Sequence, residues 1–271
     1  AEDIALLDNM TEGRVDFGAG RGTNERSCVQ FNIDADKRNA KRNSTLFQEC
    51  LDIIVRAWTE DPFSYKGDFY EFPVPGWKET NKMFAPFDPR YHAPDGEYIG
   101  MYVHPRPLQQ PHPPVWLMSN TPGTYEMAAS SGMHVVGMNS AADSLRACWS
   151  AYQKGAAAGQ GKSLNVGEGV GMCVVIYVAD SMEEAQRDIR PSINHYYDFV
   201  SGARPDGEWA RRSFLDAGAE LTNDDREADW FDFLQSRDIM WVGTADYVAE
   251  KIEKFREEVG LQHIMLLQQF P

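Results

Sequence analysis

The chain has 271 residues, of which 42% are hydrophobic, and this is enough to form the core of one large α/β domain. Its net charge is −15, and this acidic balance argues against a nucleic-acid-binding function, which needs clustered positive charge. The sequence has neither an apolar run of about 18 residues nor a basic leader, so it predicts no membrane span and no signal peptide.

The four cysteines and six histidines are scattered along the chain. No CxxC motif and no Cys/His spacing typical of zinc binding occurs, so no metal site is predicted. Widely separated cysteines are expected to be free thiols in a reducing compartment, and we therefore expect a cytoplasmic protein.

Hydrophobic periodicity predicts helices and strands along most of the chain. Residues 1–10 have apolar side chains at spacing three and are predicted to end a helix, and RVDFGAG follows as a strand. Residues 44–58 carry one apolar face and predict a second helix. From residue 114, strands alternate with helices in the stretches PVWLM, TPGTYEMAASSG, HVVGM, AADSLRACWSAYQKGAAAG, GVGMCVVIYVA and SMEEAQRDIRPSINHYYDFV, and the chain closes with helix GTADYVAEKIEKFREEVG and strand HIMLLQQF.

Two excursions interrupt this alternation, at residues 61–114 and 201–240. The first holds 11 of the 15 prolines and 11 aromatic residues, a content that predicts an ordered irregular segment and not a flexible linker. It is interpreted either as a packed surface loop or as one wall of a substrate pocket. The second excursion is acidic and contains tryptophan.

Strands that alternate with helices predict an α/β protein with a parallel sheet. A doubly wound sheet and a (β/α)8 barrel both fit the alternation, but the five predicted strands cannot close an eight-stranded barrel. No internal repeat and no linker divides the chain, so a single domain over residues 1–271 is predicted.

Three glycines, Gly18, Gly20 and Gly22, follow the first predicted strand. A dinucleotide-binding turn needs G-x-G-x-x-G and a helix that begins at once. Here the spacing is G-x-G-x-G and a polar segment follows, so a Rossmann site is not favoured. Arg21 lies at the carboxyl end of the strand, where parallel sheets bind ligands, and its guanidinium suits phosphate. A surface ion pair accounts for Arg21 equally well.

A second candidate anion site is the start of the helix after PVWLM. Thr121 suits the N-cap, Pro122 the first helical position and Thr124 the third. The backbone N–H groups of Gly123 and Thr124 are then expected to be unpaired, and the side chains of Asn120, Thr121 and Thr124 add donors. Ordinary capping explains the same residues. A glycine in the first turn costs helix stability, however, and a close approach of the backbone to a ligand is a reason for it.

The chain resembles the bacterial luciferase-like flavin monooxygenases in the stretches AEDIALLDNMTEGRVDFGAGRG, ECLDIIVRAWTEDPFSYKGDFYEFP, HPRPLQQPHPPVWLMSNTPGTYEMAASSG and VGTADYVAEKIEKFREEVGLQHIMLLQQFP. These stretches follow the family's order and span most of the chain, whereas residues 201–240 match poorly. The resemblance implies a (β/α)8 TIM-type barrel that binds reduced FMN. It also implies that the first three barrel strands, in about a hundred further residues, and the last helix are missing from this chain.

The resemblance also implies a set of cofactor-binding residues. In the family, the arginine after the glycine-rich strand contacts the flavin phosphate, and that position is Arg21, next to Gly22. Met138 and Asn139 are candidate wall residues of the pocket, and no general base is assigned. The loop after the next barrel strand supplies further phosphate contacts in the family, at the positions of Met118, Asn120, Thr121, Gly123 and Thr124. At the position of Asn120, the family often has an acidic or small residue instead.

The resemblance implies a two-component monooxygenase that uses reduced FMN and O2 to oxygenate a small organic substrate. The only glycine-rich turn is assigned to the flavin phosphate, so no second site for NAD(P)H is predicted, and a flavin reductase is the expected partner. A homodimer is also expected. Two alternatives stay open: a non-catalytic flavin-binding or structural relative, and a deazaflavin-dependent dehydrogenase of the same superfamily.

Overall fold

In a computed structural model of the chain, residues 1–22, 28–81, 83, 85–138, 141–202, 208–215 and 219–267 are described. The contacts among the residues divide the chain into two units, residues 1–115 and residues 116–271. No helix within the described residues is long and apolar enough to cross a membrane.

The described part of the first unit combines two helices with short strands. The longer helix begins four residues before its periodicity indicates, because Asn39 caps it by accepting a hydrogen bond from the N–H of Arg42. Leu51 and Trp58 of its predicted apolar face are buried. The elements of this unit are α1 (Glu2–Met10), β1 (Phe17–Ala19), a 3₁₀ turn (Ile33–Ala35), α2 (Ala40–Thr59), β2 (Tyr65–Lys66) and β3 (Glu71–Phe72).

A buried carboxylate on α2 ties down the start of the proline-rich excursion. Glu49 accepts hydrogen bonds from the backbone N–H groups of Asp68, Phe69 and Tyr70 at 2.7–3.0 Å. Gly67 allows this approach, since a Cβ there would lie 2.4 Å from the carboxyl carbon of Glu49. β2 and β3 pair as an antiparallel ribbon on either side of this turn. The excursion is thus irregular but held by specific hydrogen bonds.

The second unit alternates strands and helices as the sequence predicts. Four strands of this unit, together with β1 in the first unit, account for all five predicted strands. The elements are β4 (Val115–Met118, whose first residue belongs to the first unit), α3 (Pro122–Ser130), β5 (His134–Met138), α4 (Ala142–Gln160), β6 (Val170–Val178), α5 (Met182–Gly202), α6 (Trp209–Arg212), α7 (Asn223–Glu227), α8 (Trp230–Gln235), β7 (Met240–Gly243), α9 (Ala245–Val259) and β8 (Ile264–Leu266).

The strands of the second unit are parallel, and β4 to β7 are neighbours in chain order, whereas β8 pairs with β6. β4 pairs with β5, and β5 pairs with the first half of β6. The nine-residue β6 also pairs with β8 through Met172–Val174 and with β7 through Val175–Val178. Its burial explains the unbroken apolar run of its sequence. The predicted parallel α/β fold is confirmed, and the sequential order is that of a barrel and not of a doubly wound sheet.

The second predicted excursion contains structure that the sequence pattern did not reveal. Residues of α8 and β7 are among the most buried in the chain, including Phe231, Leu234 and Met240. α6, α7 and α8 have only four to six residues each. Helices this short span less than two turns and show no periodicity. The side-chain caps at Thr222 and Asp229, together with tertiary packing, stabilise α7 and α8.

Candidate functional site

The candidate site lies where β4 ends and α3 begins. Thr121 is the N-cap of α3 with an extended backbone (φ −114°, ψ 128°), and Pro122 occupies the first helical position. The proline ring presets the helical φ angle at this position. Thr124 therefore stands at the third position, and the predicted start of the helix is confirmed.

Three hydroxyl groups, those of Ser119, Thr121 and Thr124, form a hydroxyl chain at this helix start. The oxygens of Ser119 and Thr121 are 3.1 Å apart, and those of Thr121 and Thr124 are 2.9 Å apart. Three hydroxyls carry three hydrogens, and two contacts use two of them. One hydroxyl hydrogen of the chain is therefore left to donate to an outside acceptor.

The first-turn N–H groups differ from the prediction in one respect. The N–H of Thr124 donates to the backbone carbonyl of Thr121 at 3.0 Å, so it is paired and not free. This i→i−3 bond is the usual tightening of a first turn whose N-cap side chain bonds elsewhere. The N–H of Gly123 has no partner among the described residues.

Gly123 stands beside open space. A Cβ at this position would meet no heavy atom within 4 Å, and its backbone is outside the left-handed region. Neither conformation nor packing within the described chain therefore requires glycine, although glycine costs up to about 1 kcal/mol relative to alanine in a helix. An exposed glycine next to an unpaired N–H and a hydroxyl chain fits the phosphate of a nucleotide cofactor, which needs donors and room for close approach.

The side chain of Asn120 is used within the protein. Its Oδ1 accepts a hydrogen bond from the N–H of Met138 at 2.7 Å, and its Nδ2 donates to the carbonyl of Met138 at 2.9 Å. Met118 is 48% exposed at the end of β4. The structure thus brings Met118, Asn120, Thr121, Gly123 and Thr124 together at one strand end, and their contact with a cofactor stays a prediction. Asn139 lies outside the described residues.

Arg21 and Gly22 belong to the first unit. The guanidinium of Arg21 is exposed and makes no ion pair with any described residue, so the ion-pair interpretation has no support there. Gly22 has a left-handed backbone (φ 81°), and a Cβ on it would lie 2.3 Å from the Sγ of Cys28. Gly22 therefore serves the turn, whereas a Cβ at Gly18 or Gly20 would meet nothing within 4 Å.

The segment from Met118 to Thr124 contains no titratable side chain. The next residue, Tyr125, is buried, and its hydroxyl has no hydrogen-bond partner among the described residues. Burial raises the pKa of Tyr125, so this phenol stays protonated at neutral pH. No three His, Cys, Asp or Glu residues in the described ranges are placed to hold a metal ion. The site can therefore bind an anion through neutral donors, and it offers no acid or base of its own.

Sequence reasoning missed the role of Ser119 in the hydroxyl chain and the bonding of Asn120 to Met138. A hydroxyl residue two positions before an N-cap threonine is the signal that could have indicated Ser119. The contact with Met138 depends on the register between β4 and β5, which no local pattern records.

Both a protein-family model and individual known proteins match this chain. A family model described as luciferase-like monooxygenase matches residues 1–263. The FMNH2-dependent dimethylsulfone monooxygenase of Pseudomonas putida is 23% identical over an alignment of 239 residues that covers 80% of this chain and 54% of that protein. The first curated relatives match about half of this chain and about 30% of their own length, so the chain spans less than two thirds of the relatives it matches.

Solved structures share the fold. The oxygenating constituent of the 3,6-diketocamphane monooxygenase of Pseudomonas putida, solved with FMN, gives a TM-score of 0.69 at 20% identity, over 98% of this chain and 67% of that one. An F420-dependent secondary alcohol dehydrogenase gives 0.59 at 15% identity, over 98% and 67%. These likenesses confirm the predicted barrel-type α/β fold.

Proposed function

The chain belongs to the luciferase-like monooxygenase family, and on that premise we propose that it takes part in an FMN-dependent oxygenation of a small organic substrate. Reduced FMN and O2 are the co-substrates in this proposal, and a flavin reductase is the partner that supplies the reduced flavin. The names of two similar proteins, an FMNH2-dependent monooxygenase and an oxygenating constituent solved with FMN, support this choice of cofactor.

The proposal depends on the hydrogen-bond donors at the start of α3 that have no partner among the described residues. Gly123 provides an unpaired N–H beside open space, and the hydroxyl chain provides one hydrogen for an outside acceptor. We propose that these groups hold the flavin phosphate, with the hydroxyl chain through Thr121 and Thr124 supplying one side-chain donor. Arg21 and Gly22, in the first unit, and Met118 are proposed cofactor-binding residues on the family resemblance, whereas both polar groups of the Asn120 side chain are bonded to Met138.

Bound reduced flavin would supply the electrons that activate O2. The residues of this chain would bind the phosphate by neutral donors and thereby orient the cofactor on a rigid strand–helix junction. Because Met118–Thr124 contains no acid or base, we assign no proton-transfer step to this segment.

The test is product formation with isotope-labelled O2. Free reduced flavin consumes O2 without an enzyme, so oxygen uptake alone is not sufficient. The purified chain is mixed with FMN, NADH, a flavin reductase and a panel of aldehydes, sulfonates, amines and terpenes. We expect one labelled oxygen atom in a product, and none without the reductase. Direct oxidation of NADH by the chain alone would contradict the need for a reductase.

The same substrate panel, with alcohols added, separates the two alternatives when it is tested once with FMN and O2 and once with F420 in the absence of O2. A dehydrogenase that uses deazaflavin, the cofactor class of the F420-dependent neighbour, would oxidise an alcohol with F420 in the absence of O2. A non-catalytic relative would bind FMN and form no product with any substrate of the panel.

A further inference from the structure

Asn120 is exposed, yet the oxygen and the nitrogen of its side-chain amide both form hydrogen bonds with the backbone of a single residue, Met138. The amide accepts from the N–H of Met138 at 2.7 Å and donates to the carbonyl of Met138 at 2.9 Å. An exposed asparagine usually bonds to water. Two short bonds to the same residue on a neighbouring strand form a two-point clamp.

The clamp continues the sheet beyond the end of β4. The last backbone bond of this ladder runs from the N–H of Ser119 to the carbonyl of Val136 at 3.1 Å. In a parallel ladder the next donor, the N–H of Met138, would bond to the backbone carbonyl of Ser119, the residue after β4. The side-chain amide of Asn120 takes that place, because an amide has the same donor and acceptor as a peptide group. The chain can then leave the sheet and enter α3 two residues later.

We propose that Asn120 is a positioning residue for the phosphate site and not itself a phosphate ligand. It fixes the connection between β4 and α3 to the end of β5, and so holds the hydroxyl chain and the N–H of Gly123 in place before the cofactor binds. This inference rests on the proposed function. Preorganised donors bind more tightly because the ordering entropy of the loop is lost on folding and not on binding.

The chemistry of the clamp selects asparagine over aspartate. A carboxylate could still accept from the N–H of Met138, but it has no hydrogen to donate to the carbonyl of Met138. It would also bring a negative charge next to a site for a phosphate dianion. The two variants Asn120→Ala and Asn120→Asp therefore separate the clamp from the charge.

The experiment measures dissociation constants for FMN and riboflavin, together with hydrogen exchange of the Met138 amide in the cofactor-free chain. For Asn120→Ala we expect about three- to tenfold weaker FMN binding, unchanged riboflavin binding and faster exchange of Met138. For Asn120→Asp we expect weaker FMN binding than for Asn120→Ala, with Met138 still protected. Asn165→Ala, which removes another asparagine of the second unit, is the matched control and should change none of these values.

A double-mutant cycle with Thr124→Ala distinguishes positioning from direct contact. Because Asn120 holds both the hydroxyl chain and the N–H of Gly123, its removal should cost less FMN binding, although still some, once Thr124 is already alanine. Additive losses, equal losses for FMN and riboflavin, or unchanged Met138 exchange in Asn120→Ala would each overturn the positioning role. A wild-type chain that binds FMN no more tightly than riboflavin would instead overturn the proposed function itself.

Discussion

Asp238 combines an unusual backbone with a partly buried charge. Its φ is 57°, in the left-handed region, and its carbonyl accepts a hydrogen bond from the indole N–H of Trp241. Its carboxylate pairs with Lys251 and with Lys254, the latter at 2.7 Å. Burial by itself would raise the pKa of Asp238, but the hydrogen bonds from the two lysines outweigh it and lower the pKa below its ordinary value.

Replacing Asp238 by asparagine should destabilise the protein in a pH-dependent way. Asparagine tolerates the left-handed backbone, so the change removes the charge and keeps the turn. A lowered pKa in the folded state adds stability above the unfolded pKa of about 4, and this stability disappears as the pH falls through the folded pKa. Urea unfolding should show a loss of roughly 1–2 kcal/mol at pH 7 that shrinks below pH 4.

The exposed ion pair between Glu126 and Lys154 provides a control for this prediction. Glu126→Gln should change the free energy of unfolding little at any pH, since solvent screens such pairs. A loss for Asp238→Asn that stays the same from pH 7 to pH 3 would show that the ion pairs are not its cause.

Two glycines set the distance between α3 and α4. A Cβ at Gly155 would lie 2.1 Å from the carbonyl oxygen of Glu126, and a Cβ at Gly159 would lie 2.5 Å from the backbone of Ser130. Both positions are on one face of α4, four residues apart, and both meet the backbone of α3. Close packing of α3 against α4 therefore requires glycine at these two positions. This packing holds α3, which begins at the candidate site, in place.

Gly155→Ala should destabilise the fold although alanine is the better helix former. The added methyl group has to push two backbones apart, and overpacking of this kind costs about 1–3 kcal/mol. Gly202→Ala is the matched control, because a Cβ at Gly202 meets no heavy atom within 4 Å. Thermal unfolding should show a lower midpoint for Gly155→Ala alone. Equal midpoints for the two variants would mean that the helices can separate without cost.

At the scale of the whole molecule, long elements were predictable and short ones were not. α2, α5 and α9 have enough turns to display an apolar face, and Gly260 ends α9 with a left-handed backbone as expected for a C-cap. β7 and α8 are too short for periodicity, and their burial depends on the core around them. Local chemistry alone likewise predicted Thr121 as N-cap and Pro122 at the first position.

The clamp between Asn120 and Met138 shows where sequence reasoning stops. The two residues are 18 positions apart, and only the pairing of β4 with β5 brings them together. The prediction that the Asn120 side chain contacts a phosphate was based on local sequence and could not include this competing partner. The predicted homodimer and the single domain over residues 1–271 remain predictions.

The measurement that tests the phosphate site most directly is a fluorescence titration of FMN and riboflavin into the wild type, Arg21→Ala and Thr124→Ala. Riboflavin lacks the phosphate, so it reports general damage to the fold. Loss of a charge-assisted hydrogen bond, about 1.5–3 kcal/mol, should weaken FMN binding to Arg21→Ala by roughly ten- to a hundredfold. Thr124→Ala should cost less, about 0.5–1.5 kcal/mol. Riboflavin affinity should be unchanged in both variants, whereas equal losses for the two ligands, or no loss for either, would contradict the site.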